Sequence, residues 1–144
     1  MNGQRELAEL PRDEALRLLG SVPFGRVVFT ARAMPAIRPV NHLVDGGSII
    51  IRTSLGSALS TDVDGTGTVV AYEADHIDPG TRQGWSVVVI GRAALVTDGP
   101  QHLLYRQALH PWAGGQRDEI IAISIDMITG YRLLPLPGWQ TAAP

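Results

Sequence analysis

Apolar positions along this chain follow two different spacings. Over Pro11–Leu19 the spacing is helical, with Ala15, Leu16, Leu18 and Leu19 on one face. Pro11 suits a first turn, Asp13 and Glu14 suit the positive end, and Gly20 is a natural stop. Beyond it the period falls to two. Six strands are predicted: Gly25–Thr30, Ala36–Val44, Ser48–Arg52, Thr66–Asp75, Trp85–Val96 and Glu119–Ile128. Pro39 cannot donate to a central ladder, so the second strand lies at an edge, a bulge or a barrel seam. Asp45-Gly46-Gly47 is a hairpin turn. Ser54–Thr61 is a connection with room for one helical turn, and Ile77–Gly84 is a polar loop. In the longest strand, Trp85, Val87, Val89, Gly91, Ala93 and Leu95 share one face. The other face carries Ser86, Val88, Ile90, Arg92, Ala94 and Val96, so both are largely apolar and the strand is central. Asp98 is read as a cap, with Pro100 in the first turn and Gln101 completing a box, for a helix to about Leu109. Ile121, Ile123, Ile125 and Met127 share a face of the last strand.

Hairpin-length connections dominate and no βαβ alternation occurs, which excludes a doubly wound sheet. Six strands whose edges need protection predict a closed or nearly closed antiparallel barrel, mainly β with short flanking helices. The 144 residues form one domain, with residues 1–9 a loosely held tail and 135–144 a C-terminal tail.

Composition narrows the chemistry. With 44% apolar and 18% charged residues the chain is globular. Its formal net charge is −2 and every cation is Arg, scattered without a basic stripe, so no nucleic-acid partner is expected. There is no Cys, which removes disulfides, thiolate metal sites and thiol nucleophiles. His42, His76, His102 and His110 show no helical metal spacing, and no metal is expected. Asp75-His76-Ile77-Asp78 reads as a solvated loop. No G-x-S-x-G elbow or dinucleotide fingerprint is present. Glu73 and Asp75 alternate on one strand face without suggesting paired glycosidase carboxylates. No apolar run approaches membrane length and no signal-peptide core is visible, so the expected address is the cytoplasm.

Several segments, in order, resemble the pyridoxamine-5′-phosphate-oxidase-like family of FMN-binding split barrels. They are Phe24-Gly25-Arg26-Val27-Val28-Phe29, Arg38-Pro39-Val40-Asn41, and Ile51-Arg52-Thr53 with Gly56-Ser57 close behind. Val70-Ala71-Tyr72-Glu73-Ala74-Asp75, Gly84-Trp85-Ser86-Val87, Gly91-Arg92-Ala93, Pro111-Trp112-Ala113 and Ile128-Thr129-Gly130-Tyr131-Arg132-Leu133 continue the pattern. The resemblance runs from about Leu10 to Leu134 and implies a homodimer with two flavin sites built from both subunits. It implies a phosphate end at Arg52, Thr53, Gly56 and Ser57, which agrees with the chemistry of a guanidinium fork, hydroxyl donors and a Gly backbone. It implies a ring against Pro39, Val40 and Asn41, covered by Trp85 and Trp112, with Arg132 reaching in across the dimer. Two positions depart from the family pattern. Ala58 stands where a Lys is common, and Tyr131 where a first Arg is common. Losing one charge-assisted phosphate contact lowers affinity about ten- to hundredfold.

The function implied is a flavin-dependent oxidoreductase acting on a small molecule, with FMN as cofactor. A deazaflavin-dependent reductase, a non-catalytic flavin- or haem-binding protein, and a barrel that has lost its cofactor are the alternatives. No residue is assigned as a general acid or base.

Overall fold

A computed structural model describes residues 6–59, 67–97, 99–110 and 118–134. The chain order is β1 (Glu6–Glu9), α1 (Arg12–Gly20), β2 (Phe24–Ala31), β3 (Met34–Asp45), β4 (Ser48–Thr53), α2 (Gly56–Leu59), β5 (Thr68–Ile77), β6 (Gly84–Leu95), α3 (Pro100–Ala108), β7 (Glu119–Ser124) and β8 (Met127–Leu134). β6, β5, β2, β3, β4 and β7 are antiparallel neighbours in that order, and a β6–β7 pairing closes the ring. The expected six-stranded barrel is therefore present. β8 and β1 extend it as two further strands.

The split arises on one edge of β6. Its first half, Gly84–Ile90, pairs with β8, and Ala93–Leu95 pairs with β7. The residues read as one strand over Glu119–Ile128 thus break at Ile125-Asp126 into β7 and β8. Ile121, Ile123 and Ile125 stay in the core, whereas Met127 turns outward, 61% exposed. Met127 therefore does not share their face. The polar N-terminal stretch contains β1, whose Leu7 and Ala8 sit opposite Leu133 and Arg132.

Pro39 lies where expected. From Met34 to Asn41, β3 pairs with β2 on one side, and β4 joins only from His42 onward. That open stretch tolerates Pro35 and Pro39, which also discourage further strand pairing. Asp45 and Ser48 face each other across the Gly46-Gly47 turn.

The core follows the period-two pattern. Val27, Phe29, Val40, Ile49, Ile51, Tyr72, Val87, Val89, Ile121 and Ile123 fill the barrel with Trp85. Ala15, Leu18 and Leu19 of α1 join them, so the helix plugs one end. Each such large side chain contributes about 1.5–3 kcal/mol by leaving water. A second small cluster, Ile50, Ile120 and Leu109, lies outside the barrel under α3. The first residue before that helix is Gly99, with no side-chain cap bond. Gln101 does not complete a box; its amide reaches Asp45 and the Tyr105 hydroxyl instead. Asp98 lies outside the described residues. No helix among the described residues is long and apolar enough to cross a membrane.

Candidate functional site

Alternation along β3 and β4 sorts the implied cofactor residues between two faces. On β4, Ile49, Ile51 and Thr53 point inward while Ile50 and Arg52 point outward toward α3. On β3, Val40 and His42 are buried inside, and Asn41 faces out. Val40 packs in the barrel core, so any contact it makes with an outside ligand comes through its backbone.

Arg52 and Asn41 converge on the end of α3. Arg52 Nη1 donates to the carbonyls of Arg106 (3.1 Å) and Leu109 (3.0 Å). Asn41 Nδ2 donates to the carbonyl of His110 (2.9 Å). Arg52 Nε also donates to Asp118 Oδ2 at 2.9 Å. The other oxygen of that carboxylate accepts from Arg106 Nη2 at 3.1 Å. Asp118 is only 4% exposed, so one buried carboxylate links the barrel wall to the helix. Thr53 Oγ1 accepts from the backbone N–H of Leu55 at 3.2 Å, shaping the turn into α2. Ala58 packs against the barrel core.

The remaining implied residues are dispersed. Pro39 is exposed on the open part of β3, beside Arg26 of β2. Trp85 is a core side chain of β6. Arg132 lies opposite Trp85 on β8, and its Nη2 donates to Glu14 of α1 at 3.2 Å, so among the described residues of one chain it shares no partner with Arg52. Tyr131 is exposed on the opposite face of that strand. Trp112 lies outside the described residues, as do the side chains of Gly56 and Ser57.

The partners of two further polar groups are not legible in the sequence. On the outer face, Arg26 Nη1 donates to Glu73 Oε1 (2.8 Å) and Asp75 Oδ2 (3.3 Å). Partial burial, reinforced by hydrogen bonding and repulsion from Asp75, pushes the Glu73 carboxyl up to about 7 against the pull of Arg26. β5 continues to Ile77, so Asp75, His76 and Ile77 are strand residues and not a loop. Among the described residues no group of three or more His, Asp or Glu side chains is placed to hold a metal.

The second group is inside the barrel. His42 Nε2 lies 2.8 Å from the Leu19 carbonyl and its Nδ1 lies 2.6 Å from the Tyr72 hydroxyl. A carbonyl only accepts, so Nε2 carries the proton and Nδ1 accepts from Tyr72. Burial raises the Tyr72 hydroxyl well above its ordinary value, which keeps it a donor. Burial likewise lowers His42 below its ordinary 6.5. The trio pins the last turn of α1 to β3 and β5. A His with a depressed folded pKa stabilises fully above its unfolded value, and that contribution is lost as pH falls through the folded one. Thermal melts should show wild type losing stability below pH ~6.5, by up to about 1.4 kcal/mol per pH unit from this group. His42→Gln should lack that component. Parallel pH profiles for the two proteins would refute the assignment.

Three similarities bear on this arrangement. A protein of Mycobacterium tuberculosis (strain H37Rv), the uncharacterized protein Rv0080, is 53% identical over 133 residues, covering 90% of this chain and 88% of its own. The crystal structure of a candidate pyridoxamine 5′-phosphate oxidase from Corynebacterium glutamicum is 33% identical with a TM-score of 0.72, covering 91% of this chain and all of that one. The FAD binding protein of Mycobacterium smegmatis is 29% identical with a TM-score of 0.65, covering 88% and 98%. The family model for pyridoxamine 5′-phosphate oxidase matches residues 11–132, from the start of α1 to Arg132 on β8. With nearly the whole barrel inside that match, the chain belongs to the pyridoxamine 5′-phosphate oxidase family.

Proposed function

We propose that this protein binds a flavin nucleotide by its phosphate at the Arg52 end of β4, and acts as a homodimeric oxidoreductase on a small molecule. One observation carries the reading. Arg52 and Asn41, on neighbouring strands, both reach the adjacent carbonyls of Leu109 and His110 on the outer face. A fixed guanidinium and a fixed amide are thereby held together on the outer face of the barrel, at the end of α3. Such preorganised donors suit a phosphate and the polar edge of a ring. Arg52 Nη2 has no acceptor among the described residues and remains available to an anion. The residues present thus fit the group. The FAD-binding M. smegmatis relative supports a flavin, and FMN is the part that all flavin nucleotides share.

Bound there, a flavin supplies hydride or electron transfer, which no side chain of the protein can. The chain's part is to bind, orient and manage protons. Pro39 offers an exposed surface for the ring, with Phe24 opposite Asn41. In the adjoining row, Pro39, Arg26 and Glu73 sit side by side across β3, β2 and β5. Glu73 holds a proton on its carboxyl near neutrality, so it can give or take one beside this face.

The same face supports a second copy as partner. Ile37, Val28, Ala71, Ile90 and Met127 stand in register across five strands, an apolar row on the outside of the barrel. Ile37 and Met127 are 56% and 61% exposed. A continuous apolar band of this kind favours burial against a partner.

The deciding experiment is a titration with FMN, FAD and a deazaflavin, following fluorescence quenching, with sedimentation run on the loaded protein. Saturable micromolar or tighter binding of FMN to a dimer is the expected result. Preference for the deazaflavin would make the protein a reductase that uses hydride without oxygen. Binding of none would refute the flavin reading.

A further inference from the structure

We propose that Arg106, on α3, is the second cation of the phosphate subsite, standing with Arg52 around Asp118 and supplying the charge that Ala58 does not. The inference rests on the phosphate reading of the Arg52 site and adds a residue to it.

The charge balance at this point is uneven. Arg52 and Arg106 share the single carboxylate of Asp118, one on each oxygen, so two positive charges meet one negative. The excess of one charge is held where Arg52 is 16% exposed and Arg106 is 35% exposed. Among the described residues, the other titratable groups on α3 and the start of β7 are His102, Tyr105, His110 and Glu119. None forms an ion pair with either Arg among the described residues. A partly buried cluster with unbalanced positive charge attracts an anion.

The donors are also arranged for one. Asp118 holds the two guanidinium groups close without letting them swing apart. Arg106 Nη1 points at the Asp118 backbone carbonyl at 3.4 Å, which fixes its plane further. Arg52 Nη2 and Arg106 Nε have no acceptor among the described residues. Two fixed guanidinium forks give a phosphate monoester more directed donors than one guanidinium and a flexible lysine. Position 58 cannot contribute in the same way, because Ala58 carries no charge and packs against the core. The cation therefore comes from α3, which lies over the outer face beside Arg52.

The test compares FMN with riboflavin, which has the ring but no phosphate, in fluorescence-quenching titrations of the full chain. Wild type should prefer FMN. Arg106→Gln should weaken FMN binding about ten- to hundredfold and leave riboflavin unchanged. Arg106→Lys, which keeps the charge on Asp118 but not the fork, should fall between them, and it preserves the test if the Gln variant does not fold. Equal losses for both ligands, or an unchanged FMN-to-riboflavin ratio in the variants, would overturn the proposal. A wild type that binds both ligands equally would also overturn it and leave the flavin reading standing. If wild type binds neither, the flavin reading fails, and inorganic phosphate becomes the probe. A phosphate-specific rise in melting temperature that the Arg106 variants lose would then support the subsite, and its absence would overturn it.

Discussion

Replacing Gly91 with alanine is expected to prevent the barrel from closing, with no cooperative melting transition near that of wild type. Gly91 sits where β6 exchanges β8 for β7 as its neighbour. A Cβ at this position would fall on the carbonyl oxygen of Ser124, well inside contact distance, with the Ile123 side chain also close. Ser124 cannot easily retreat. It ends β7 opposite Ser48, its hydroxyl accepts from the Arg92 N–H, and the next residue, Ile125, donates to Gly47. On the other side Asp126 donates to the Ile90 carbonyl. A side chain at 91 therefore pushes apart the strands that close the ring. Relieving it breaks several ladder bonds and opens the core at Ile123. Losses of this type exceed about 4–5 kcal/mol, which approaches the whole stability of a small domain. Gly46→Ala is a useful contrast. Its φ of +61° disfavours any side chain, but nothing lies near the added methyl, so the cost should be about 1 kcal/mol. Circular dichroism melts of the two variants measure the difference. A Gly91→Ala protein that melts within a few degrees of wild type would show that the junction is looser than its contacts suggest.

The importance of that glycine is partly legible from sequence, since a Gly inside a strand signals close approach. What approaches it is not legible, because β7 follows more than 25 residues later in the chain. The same division holds elsewhere. The central place of β6 follows from its two apolar faces, and the open edge of β3 follows from Pro39. The break between β7 and β8 does not, because the alternation Ile121, Ile123, Ile125, Met127 continues smoothly through it. Only the competition of two strands for one edge of β6 turns Met127 outward. β1 escapes notice for a related reason: Leu7 and Ala8 are too few apolar residues to mark a strand, and pairing to β8 makes it one. In the site, period two alone separates Val40 from Asn41. The partners of Arg52 are another matter. Asp118 is 66 residues away and Arg106 54, and nothing local to either names Arg52.

The largest effect expected at the site itself follows from Asp118. Asp118→Ala should destabilise the protein by about 3 kcal/mol and loosen α3 before the barrel. No residue of α3 is itself buried, so the helix depends on its ends. Gln101 in its first turn and Tyr105 one turn further on both reach Asp45. At its finish Leu109 packs on Ile50 and Ile120, and the Arg52–Asp118–Arg106 network ties the last turn to the wall. Removing the carboxylate strips both guanidinium groups of their shared acceptor and leaves like charges facing each other. Breaking a buried pair by deleting one partner costs about 3–5 kcal/mol. Arg106 is a third exposed and can turn into water, which keeps the loss at the lower end. Asp118→Asn keeps the shape and one acceptor, so its loss should be smaller. Urea unfolding measures the cost, and hydrogen exchange at the amides of residues 103–109 shows whether the helix leaves first. Exchange that rises equally across β4 and α3 would mean that the carboxylate supports the barrel as a whole. A binding consequence goes with the structural one. The space left by the carboxylate is surrounded by donors suited to an anion, so inorganic phosphate should recover part of the lost melting temperature in Asp118→Ala, and more than an equal ionic strength of chloride does.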